Sequence, residues 1–495
     1  MGSLSQPETT SKLHFVLFPF MAQGHMIPMV DIAKLLARRG VIVTVVTTPF
    51  NAARFESSLS RARDSGLDIR VVELYFPGVE AGLPPGIENY DMVPNLKDHA
   101  LNFHAACSML EGQVEVLFRE RLSPRPSCII SDMCFPYTLN IANKFTVPRI
   151  TFHGFCSFAL LCVRCMQMNE ELLETIPDSQ YFVLPGLPGG DIEFTKEQLP
   201  LKRDGKARDV VDNIFRADLA SFGVVINSFY EMEPAFVEAY KKARGGGNVW
   251  CIGPVSLCNE NDLDKAARGN KASAIEFTKW LDSQEPASVV YACLGSLCNL
   301  IPEQLIELGL GLEASGRPFI WALRGNENLK QVDEWIAESG FAERIKGRGM
   351  VIRGWAPQVL ILSHPAVGGF ITHCGWNSTM EGITAGLPLM TWPLFADQFC
   401  NEKLVVQVLK IGVSVGVKHP MRFGEEKEIG VVASKDDITN RIESLMDGGE
   451  EGQARRERAR ELGGLAKKAA GEGGSSQLNL TRLIQDITEL AEKAE

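Results

Sequence analysis

The stretch "AVGGFITHCGWNSTMEGITAGLPLMTWP" (366–393) decides the fold. Its first apolar run, "AVGGFITH", predicts a buried strand, and "CGW" predicts a turn. The following "NSTMEGITAG" predicts a helix, with Asn377 or Ser378 near its cap and Gly386 near its end. A second apolar run, "GLPLMTWP", predicts another strand. Strand, helix and strand in this order favour a right-handed βαβ unit and therefore a parallel sheet.

The same alternation continues through the rest of the chain. In each half, short apolar runs are separated by longer amphipathic ones, which predicts a doubly wound α/β sheet. We therefore predict two such domains that face each other, with ligands bound outside the carboxyl ends of the strands. The other predicted strands are 13–20, 41–48, 69–76, 127–132, 147–152, 222–228, 287–296, 317–324 and 349–355.

The length of 495 residues is too great for one hydrophobic core, so two domains are expected. The segment 253–274 is polar, rich in Gly, Asn and Asp, and has little periodicity, which is typical of an interdomain linker. It separates an N-terminal domain, residues 1–252, from a C-terminal domain, residues 275–470. The tail predicts two charged amphipathic helices, and the last, residues 471–495, is expected to pack back on the N-terminal domain.

The charge balance and the cysteines limit the possible partners. The net charge is −11 and the pI is near 5.4, so the basic surplus that nucleic-acid binding needs is missing. No apolar run reaches the roughly 18 residues of a membrane helix, and no apolar signal core is present, so we expect no membrane span and a cytoplasmic location. Cys162 and Cys165 form an isolated CxxC in an apolar helical pattern and are expected to be core thiols.

The helix predicted after "CGW" begins at the carboxyl end of a strand. Its free N–H groups and the positive end of its dipole form an anion site that needs no lysine. His373, Asn377 and Ser378 can add side-chain donors, which fits a diphosphate. Glu381 lies one turn deeper on the same face as Asn377, where a carboxylate fits the vicinal hydroxyls of a ribose. A thiol nucleophile at Cys374 is disfavoured, because adjacent strand residues point to opposite faces.

Two flanking segments extend this site. Trp355, in "WAPQ" (355–358), can supply a flat stacking surface for a base. Asp397 and Gln398, in "FADQ", follow a predicted strand and can bind the vicinal hydroxyls of a hexose. Base, ribose, phosphates and sugar each have a candidate partner, which favours a nucleotide-sugar site.

The span from Trp355 to Gln398 resembles the signature box of the plant UDP-sugar-dependent glycosyltransferases of family one. The resemblance covers the whole chain, including the N-terminal "FPFMAQGHMIPM" (18–29) and the position of the linker. It implies the GT-B architecture, in which two Rossmann-like domains face a central cleft. The acceptor is then expected in the N-terminal domain and the UDP-sugar in the C-terminal one, in a monomeric enzyme.

The resemblance also implies roles for single residues of the donor site. Trp355 is expected to stack on uracil, with the backbone of Ala356 at the polar edge of the base. Gln358 and Glu381 are expected to face the ribose. The other implied contacts are with the phosphates (Ser296, His373, Asn377 and Ser378) and with the sugar (Trp376, Asp397 and Gln398). Glutamine at position 398 resembles the glucose users of the family.

The catalytic histidine of the family matches His25, and its partner aspartate matches Asp132. A neutral imidazole suits removal of the proton from an acceptor hydroxyl, and we expect a helix N-terminus at His25 to disfavour the charged form. Asp132 would fix the tautomer and stabilise the imidazolium. Since no protein nucleophile is required, direct displacement predicts inversion, from an α-linked donor to a β-glycoside. We predict no metal and no other cofactor, since the acidic pair Asp262 and Asp264 lies in the polar linker.

The predicted function is transfer of glucose from UDP-glucose to a hydroxyl of a small lipophilic plant metabolite. Local sequence such as "SDMCFPYT" resembles the subgroup that acts on triterpenoid sapogenins, flavonoids, steroid-type hormones and cytokinins, with triterpenoids placed first. Phe20, Phe155 and Phe395 are candidates to line the acceptor pocket. Two other classes stay open: a non-catalytic nucleotide-sugar-binding protein, and a nicotinamide oxidoreductase, although a GxGxxG fingerprint is missing.

Overall fold

The computed structural model describes residues 12–200, 205–259, 271–298, 300–324 and 328–494. These residues form two α/β domains, each built on a parallel sheet, as the sequence predicted. None of the described helices is both long enough and apolar enough to cross a membrane.

The N-terminal half contains the strands β1 (His14–Phe18), β2 (Ile42–Thr47), β3 (Ile69–Glu73), β4 (Cys128–Asp132), β5 (Arg149–His153), β6 (Phe182–Val183), β7 (Glu193–Phe194), β8 (Gly223–Ile226) and β9 (Asn248–Cys251). Seven of them form a parallel sheet in the order β3-β2-β1-β4-β5-β8-β9, and β6 pairs with β7 in an antiparallel hairpin. Every residue of β1 and β4 is buried, as expected for a parallel sheet covered on both faces. Because the strand order reverses between β1 and β4, a crevice opens at their carboxyl ends.

The C-terminal half contains β10 (Val289–Cys293), β11 (Phe319–Leu323), β12 (Gly349–Arg353), β13 (Val367–Thr372), β14 (Leu389–Thr391) and β15 (Gly412–Ser414). They form a six-stranded parallel sheet in the order β12-β11-β10-β13-β14-β15. The order reverses between β10 and β13, which places a second crevice at the ends of these two strands. The sequence did not predict β9 and β15, because runs of four and three residues carry too little periodicity.

Helices cover the two sheets and also form the C-terminal tail. They are Gln23–Ala37, Pro49–Asp64, Leu96–Ser108, Glu111–Glu120, Thr138–Phe145, Ser157–Met168, Glu170–Thr175, Arg208–Leu219, Pro234–Ala243, Lys271–Asp282, Pro302–Ala314, Asn328–Glu338, Phe341–Arg344, Gln358–Leu362, Trp376–Thr384, Gln398–Lys403, Glu426–Ile429, Lys435–Leu445, Glu450–Ala470 and Ser475–Ala494, with a π-helical turn at Leu404–Val408.

The cap of the helix in the opening stretch differs from the prediction. The helix begins at Trp376, and its N-cap is Gly375, so neither Asn377 nor Ser378 is the cap. The physical reason is that the Asn377 amide donates a hydrogen bond to the carbonyl of Gly24 in the other domain. No side chain caps this terminus. The first N–H groups of any helix lack an intrahelical acceptor, and here no side chain supplies one.

Half of the predicted linker, 253–274, falls on residues 260–270, which lie outside the described residues. Its described parts are a 3₁₀ turn at Val255–Cys258 and the start of the helix at Lys271, which lies inside the segment predicted as linker. The tail forms two helices with a break after Ala470, as predicted.

The last helix packs against the first sheet. Leu483 and Ile487 are fully buried in the apolar cluster of that sheet. The Trp250 indole N–H, at the end of β9, donates to Asp486 Oδ2 at 3.1 Å. An apolar face and a buried tryptophan thus attach the end of the chain to the N-terminal domain.

Candidate active site

The catalytic pair lies at the crevice of the first sheet. His25 is in the first turn of the helix that follows β1, and Asp132 is the last residue of β4. His25 Nδ1 and Asp132 Oδ2 are 2.7 Å apart, which is a hydrogen-bond distance. The Asp132 side chain is fully buried, whereas 25% of the His25 side chain is exposed. With Nδ1 held by the carboxylate, Nε2 remains to accept a proton.

The pKa of His25 is shifted in the direction opposite to the expectation, which was that the helix N-terminus would disfavour the charged imidazolium. Burial lowers the pKa of the ring, but Asp132 raises it through its charge and its hydrogen bond. The charges of Asp397 and Asp91 raise it further, and the net shift of the His25 pKa is upward from the usual 6.5. A full charge at hydrogen-bond distance outweighs the partial charge of a helix end. His25 is therefore a stronger base than a free histidine, and it stays protonated up to a higher pH.

His373 occupies a pocket between two glycine turns at the crevice of the second sheet. A Cβ atom at Gly295 would lie 2.6 Å from His373 Nε2, and one at Gly375 would lie closer still. Burial, and then the positive charge of Arg324, lower the pKa of His373 to about 4. Its Nδ1 atom is buried and has no hydrogen-bond partner among the described residues. His373 is thus a neutral side chain next to the uncapped helix N-terminus, where anions are stabilised.

The residues predicted at the ribose are in contact with one another. Gln358 Nε2 donates to Glu381 Oε2 at 2.8 Å and to Ser378 Oγ at 3.0 Å. The Gln358 backbone N–H donates to the carbonyl of Ala356 at 2.8 Å. The Tyr291 hydroxyl donates to Gln358 Oε1 at 3.3 Å. Tyr291 was not predicted, because nothing distinguishes it from the other core residues of its strand.

Trp355 borders an open pocket of about 230 Å³ between the domains. Ser296 and Arg324 line it from the C-terminal domain, and Gln23 and Asp91 from the N-terminal one. The guanidinium carbon of Arg324 lies 3.3 Å from the centroid of the Trp355 ring, in a cation–π stack. Arg324 was not predicted from the sequence. The signal was present, since Arg324 directly follows β11 at the carboxyl edge of the sheet.

Asp397 and Gln398 follow β14 and are both buried. Asn401 Nδ2 donates to Asp397 Oδ2 at 2.7 Å and to the Cys374 carbonyl at 2.8 Å. Burial raises the pKa of Asp397 to about 7, although the hydrogen bond from Asn401 opposes the shift. Gln398 Oε1 accepts the backbone N–H of Leu394 at 2.7 Å, which closes the loop. Asn401 was also missed. Its spacing of four residues from Asp397 was the available signal.

Trp376 and Asn377 connect the two domains. Trp376 is 3% exposed, and its indole N–H donates to the Asn227 carbonyl at 2.8 Å. The Asn377 side chain donates to the carbonyl of Gly24, the residue before His25, and accepts from the Asn227 amide at 3.4 Å. These contacts hold the turn that carries His25 against the helix of the second domain. Asn227, which follows β8, was not predicted.

The three candidate acceptor residues lie in different surroundings. The Phe20 ring contacts His25 edge-on, with centroids 5.3 Å apart. Phe155 is 6% exposed and belongs to an apolar core cluster. Phe395 packs against Phe423, with centroids 5.0 Å apart. Among the described ring contacts of these three residues, Phe20 alone touches His25.

The opening stretch holds His, Cys and Glu side chains, which are the residue types of metal sites and of thiol nucleophiles. The described residues contain no group of three or more His, Cys, Asp or Glu side chains that could hold a metal ion. All twelve cysteines are free, and Cys162 and Cys165 are buried, as predicted for core thiols. Cys374 is also buried, and burial raises the pKa of its thiol well above 9.0. A thiol that stays protonated at neutral pH is a poor nucleophile.

Comparison with known proteins shows the family. The family model "UDP-glucoronosyl and UDP-glucosyl transferase" matches residues 250–420. UDP-glycosyltransferase 73C6 of Arabidopsis thaliana is 56% identical over 485 residues, which are 97% of this chain and 97% of that protein. UDP-glycosyltransferase 73C5 of the same plant is 55% identical over 495 residues, with 99% of each chain covered. The chain belongs to the plant UDP-glycosyltransferases of family 73.

Solved structures agree with this assignment. UGT73P12 of Glycyrrhiza uralensis, complexed with glycyrrhetinic acid 3-O-monoglucuronide, matches with a TM-score of 0.89 at 38% identity, over 98% of this chain and 97% of that one. UGT89C1 of Arabidopsis thaliana, complexed with UDP-L-rhamnose, matches with a TM-score of 0.75 at 28% identity, over 97% and 100%. The two parallel-sheet domains therefore have the GT-B fold, and the chain is an enzyme, a UDP-glycosyltransferase. The readings as an oxidoreductase and as a non-catalytic binding protein are set aside.

Proposed function

We propose that the enzyme transfers glucose from UDP-glucose to a hydroxyl of a small lipophilic plant metabolite, with inversion at the anomeric carbon. The observation that carries this proposal is the 2.7 Å pair of His25 and Asp132, which lies within electrostatic reach of Asp397 across the cleft. An acceptor hydroxyl against His25 would therefore lie opposite a sugar held by Asp397. This arrangement suits direct transfer between two bound substrates.

In the proposed reaction, His25 Nε2 takes the proton of the acceptor hydroxyl as its oxygen attacks the anomeric carbon. The bond from that carbon to the phosphate oxygen breaks, and UDP leaves with the electron pair. Asp132 stabilises the imidazolium through its hydrogen bond, and the proton later passes to solvent. The N–H groups that open the helix Trp376–Thr384 and the neutral His373 stabilise the charge that develops on the diphosphate.

The remaining proposed donor contacts are those that the family resemblance implies. Trp355 stacks on uracil beside the backbone of Ala356, and Gln358 and Glu381 bind the ribose. Burial raises the pKa of Asp397 to about 7. Its carboxylate accepts hydrogen bonds from glucose hydroxyls, and these bonds favour the ionised form. The other proposed contacts are Ser296, Asn377 and Ser378 with the phosphates and Trp376 and Gln398 with the sugar.

A triterpenoid is the first candidate for the acceptor, and a flavonoid or other phenolic, a cytokinin or a steroid hormone are the alternatives. The complex of UGT73P12 with glycyrrhetinic acid 3-O-monoglucuronide supports the first class. The complex of UGT89C1 with quercetin supports the second. Phe20, beside His25, is the proposed apolar wall that both classes would contact.

The test is UDP release with UDP-glucose and a panel drawn from these four acceptor classes, followed by NMR of the anomeric linkage. We expect a β-glucoside, and we expect His25→Ala to lower turnover by roughly 10²–10⁴-fold, the usual contribution of a general base. His364→Ala is the matched control, because this ring precedes the amino end of β13, opposite the substrate edge of the sheet, where it pairs with Asp282, and its loss should leave turnover unchanged. Full turnover in His25→Ala, an α-glucoside, or a preference for UDP-rhamnose would each contradict the corresponding part of the proposal.

A further inference from the structure

A second histidine, His104, lies on the acceptor side of the catalytic pair. Its ring, on the helix Leu96–Ser108, stacks on Phe20 with centroids 5.6 Å apart and planes 15° apart. Phe20 in turn contacts His25 at 5.3 Å. His104 also borders Tyr90, with centroids 6.0 Å apart. One aromatic ring thus separates the two imidazoles.

His104 has no hydrogen-bonding task within the described part of the chain. Its ring nitrogens make no hydrogen bond there, and the side chain is only partly buried. Two structural histidines of the same domain differ in this respect. His14 hydrogen-bonds Thr44 at 2.7 Å, and His153 bonds Asp218 at 2.9 Å. The nitrogens of His104 are therefore available to a ligand.

The charged groups near His104 favour one kind of ligand. Burial lowers the pKa of His104 to about 4, with Asp132 opposing the shift and His25 adding to it. The neutral ring offers one N–H donor and one nitrogen acceptor. An anionic ligand group would lie close to the Asp132 carboxylate and would be repelled. A hydroxyl or a carbonyl oxygen fits both the ring and its surroundings.

We propose that His104 is a specificity-determining residue that hydrogen-bonds a neutral oxygen of the acceptor other than the hydroxyl that receives glucose. The inference rests on the proposed function, because it takes His25 as the base that orients the reacting hydroxyl. It narrows the acceptor class to molecules with two oxygen functions, one at His25 and one on the other side of the Phe20 ring. An acceptor with a single hydroxyl would leave His104 unpaired.

The test compares matched acceptor pairs that differ by one hydroxyl: betulin and lupeol, 17β-oestradiol and its 17-deoxy analogue, and 4′,7-dihydroxyflavone and 7-hydroxyflavone. We expect the wild-type enzyme to prefer the diol in at least one pair by roughly tenfold or more in kcat/KM, the usual consequence of leaving a buried polar group unpaired. The corresponding acid, betulinic acid, should show no such gain over lupeol.

Two variants separate recognition from packing. His104→Phe keeps an aromatic ring against Phe20 and should abolish the diol preference, with a larger loss of kcat/KM for the diol than for the single-hydroxyl acceptor. His104→Gln keeps a donor and an acceptor and should retain part of the preference.

Three outcomes would overturn the role of His104: no diol preference in any pair, a preference that persists in His104→Phe, or an equal loss for both members of a pair. The first and second would leave turnover of the single-hydroxyl acceptors intact, so the proposed function would stand. Absence of UDP release with every acceptor would overturn both proposals.

Discussion

His25 and His373 are the same side chain at the crevices of the two domains, and their pKa values are shifted in opposite directions. Each follows the carboxyl end of a central strand at a crevice. His25 has a carboxylate at 2.7 Å, and its pKa is raised above 6.5. His373 has glycine turns and the Arg324 guanidinium nearby, and its pKa is lowered to about 4. The neighbours, and not the histidine, decide which ring can act as a base.

The same contrast extends to the surroundings of each ring. The N-terminal crevice carries the carboxylates of Asp132 and Asp91, which stabilise a proton taken up by His25. The C-terminal crevice offers an uncapped helix N-terminus and Arg324, which stabilise a negative ligand. The two halves of the cleft therefore suit the two charges that separate during transfer, a proton on one side and a diphosphate on the other.

Removing the Asp132 carboxylate should leave His25 without a charged partner, as His373 is, and should have the largest effect on activity. We expect Asp132→Asn to lower kcat by roughly 10²–10⁴-fold, because the tautomer and the imidazolium lose their support. The base works only when deprotonated, so wild-type activity falls as the pH drops through the raised pKa of His25. In Asp132→Asn that pKa falls, and the acid limb of the kcat/KM profile should move to lower pH.

A second His–Asp pair in the same domain provides the control for this prediction. Asp218 bonds His153 at 2.9 Å. Asp218→Asn should lower the melting temperature but leave the acid limb where it is. An acid limb that stays in place in Asp132→Asn would show that another group limits activity at low pH.

A side chain added at Gly295 should displace the His373 ring and leave His25 in place. Gly295 has φ +85°, and an added Cβ would lie 2.6 Å from His373 Nε2. Gly316→Ala is the control, because Gly316 has φ +66° but nothing lies within 4 Å of the added Cβ. Both variants should lose roughly 1–3 kcal/mol of unfolding free energy from the left-handed backbone. We expect Gly295→Ala alone to weaken UDP binding, by roughly tenfold or more, in a calorimetric titration. Equal affinity in the two variants would mean that the position of His373 does not matter for the donor.

Replacing His373 itself should have a smaller effect. His373→Gln keeps an N–H donor, so UDP affinity should fall by roughly three- to tenfold, the range of one hydrogen bond of about 1 kcal/mol. The acid limb of the kcat/KM profile should be unchanged, because His373 is neutral above a pKa of about 4. A shifted limb in this variant would show that His373 exchanges protons during the reaction.

The sequence predicted the fold well where periodicity is long. His373 was a candidate because of its place between a strand and a helix, whereas His25 and Asp132 were assigned as a pair through the family resemblance, and their side chains lie 2.7 Å apart. Asn227 and Asn401 were missed because their task is to orient other groups across the domain interface, which no local pattern shows. The raised pKa of His25 was also not predicted, since it depends on the distance to Asp132 and on carboxylates from elsewhere in the chain. Local sequence patterns do not predict contacts between segments that are distant in the chain.

Arg324 gives the finest test of the contrast, because it is the cation closest to the Trp355 ring and shifts the pKa of His373. Arg324→Gln should weaken UDP binding by roughly threefold, since a partly exposed charge contributes up to about 1 kcal/mol. The loss should shrink as salt is raised from 0.05 to 0.5 M, because salt screens the attraction between the guanidinium and the diphosphate. Arg353→Gln is the control, because this exposed arginine of β12 pairs with Asp333 and should leave UDP affinity unchanged at every salt concentration. Tighter UDP binding in Arg324→Gln would instead mean that the guanidinium covers the face of Trp355 that uracil needs, and would make Arg324 a competitor of the base and not a partner of the phosphates.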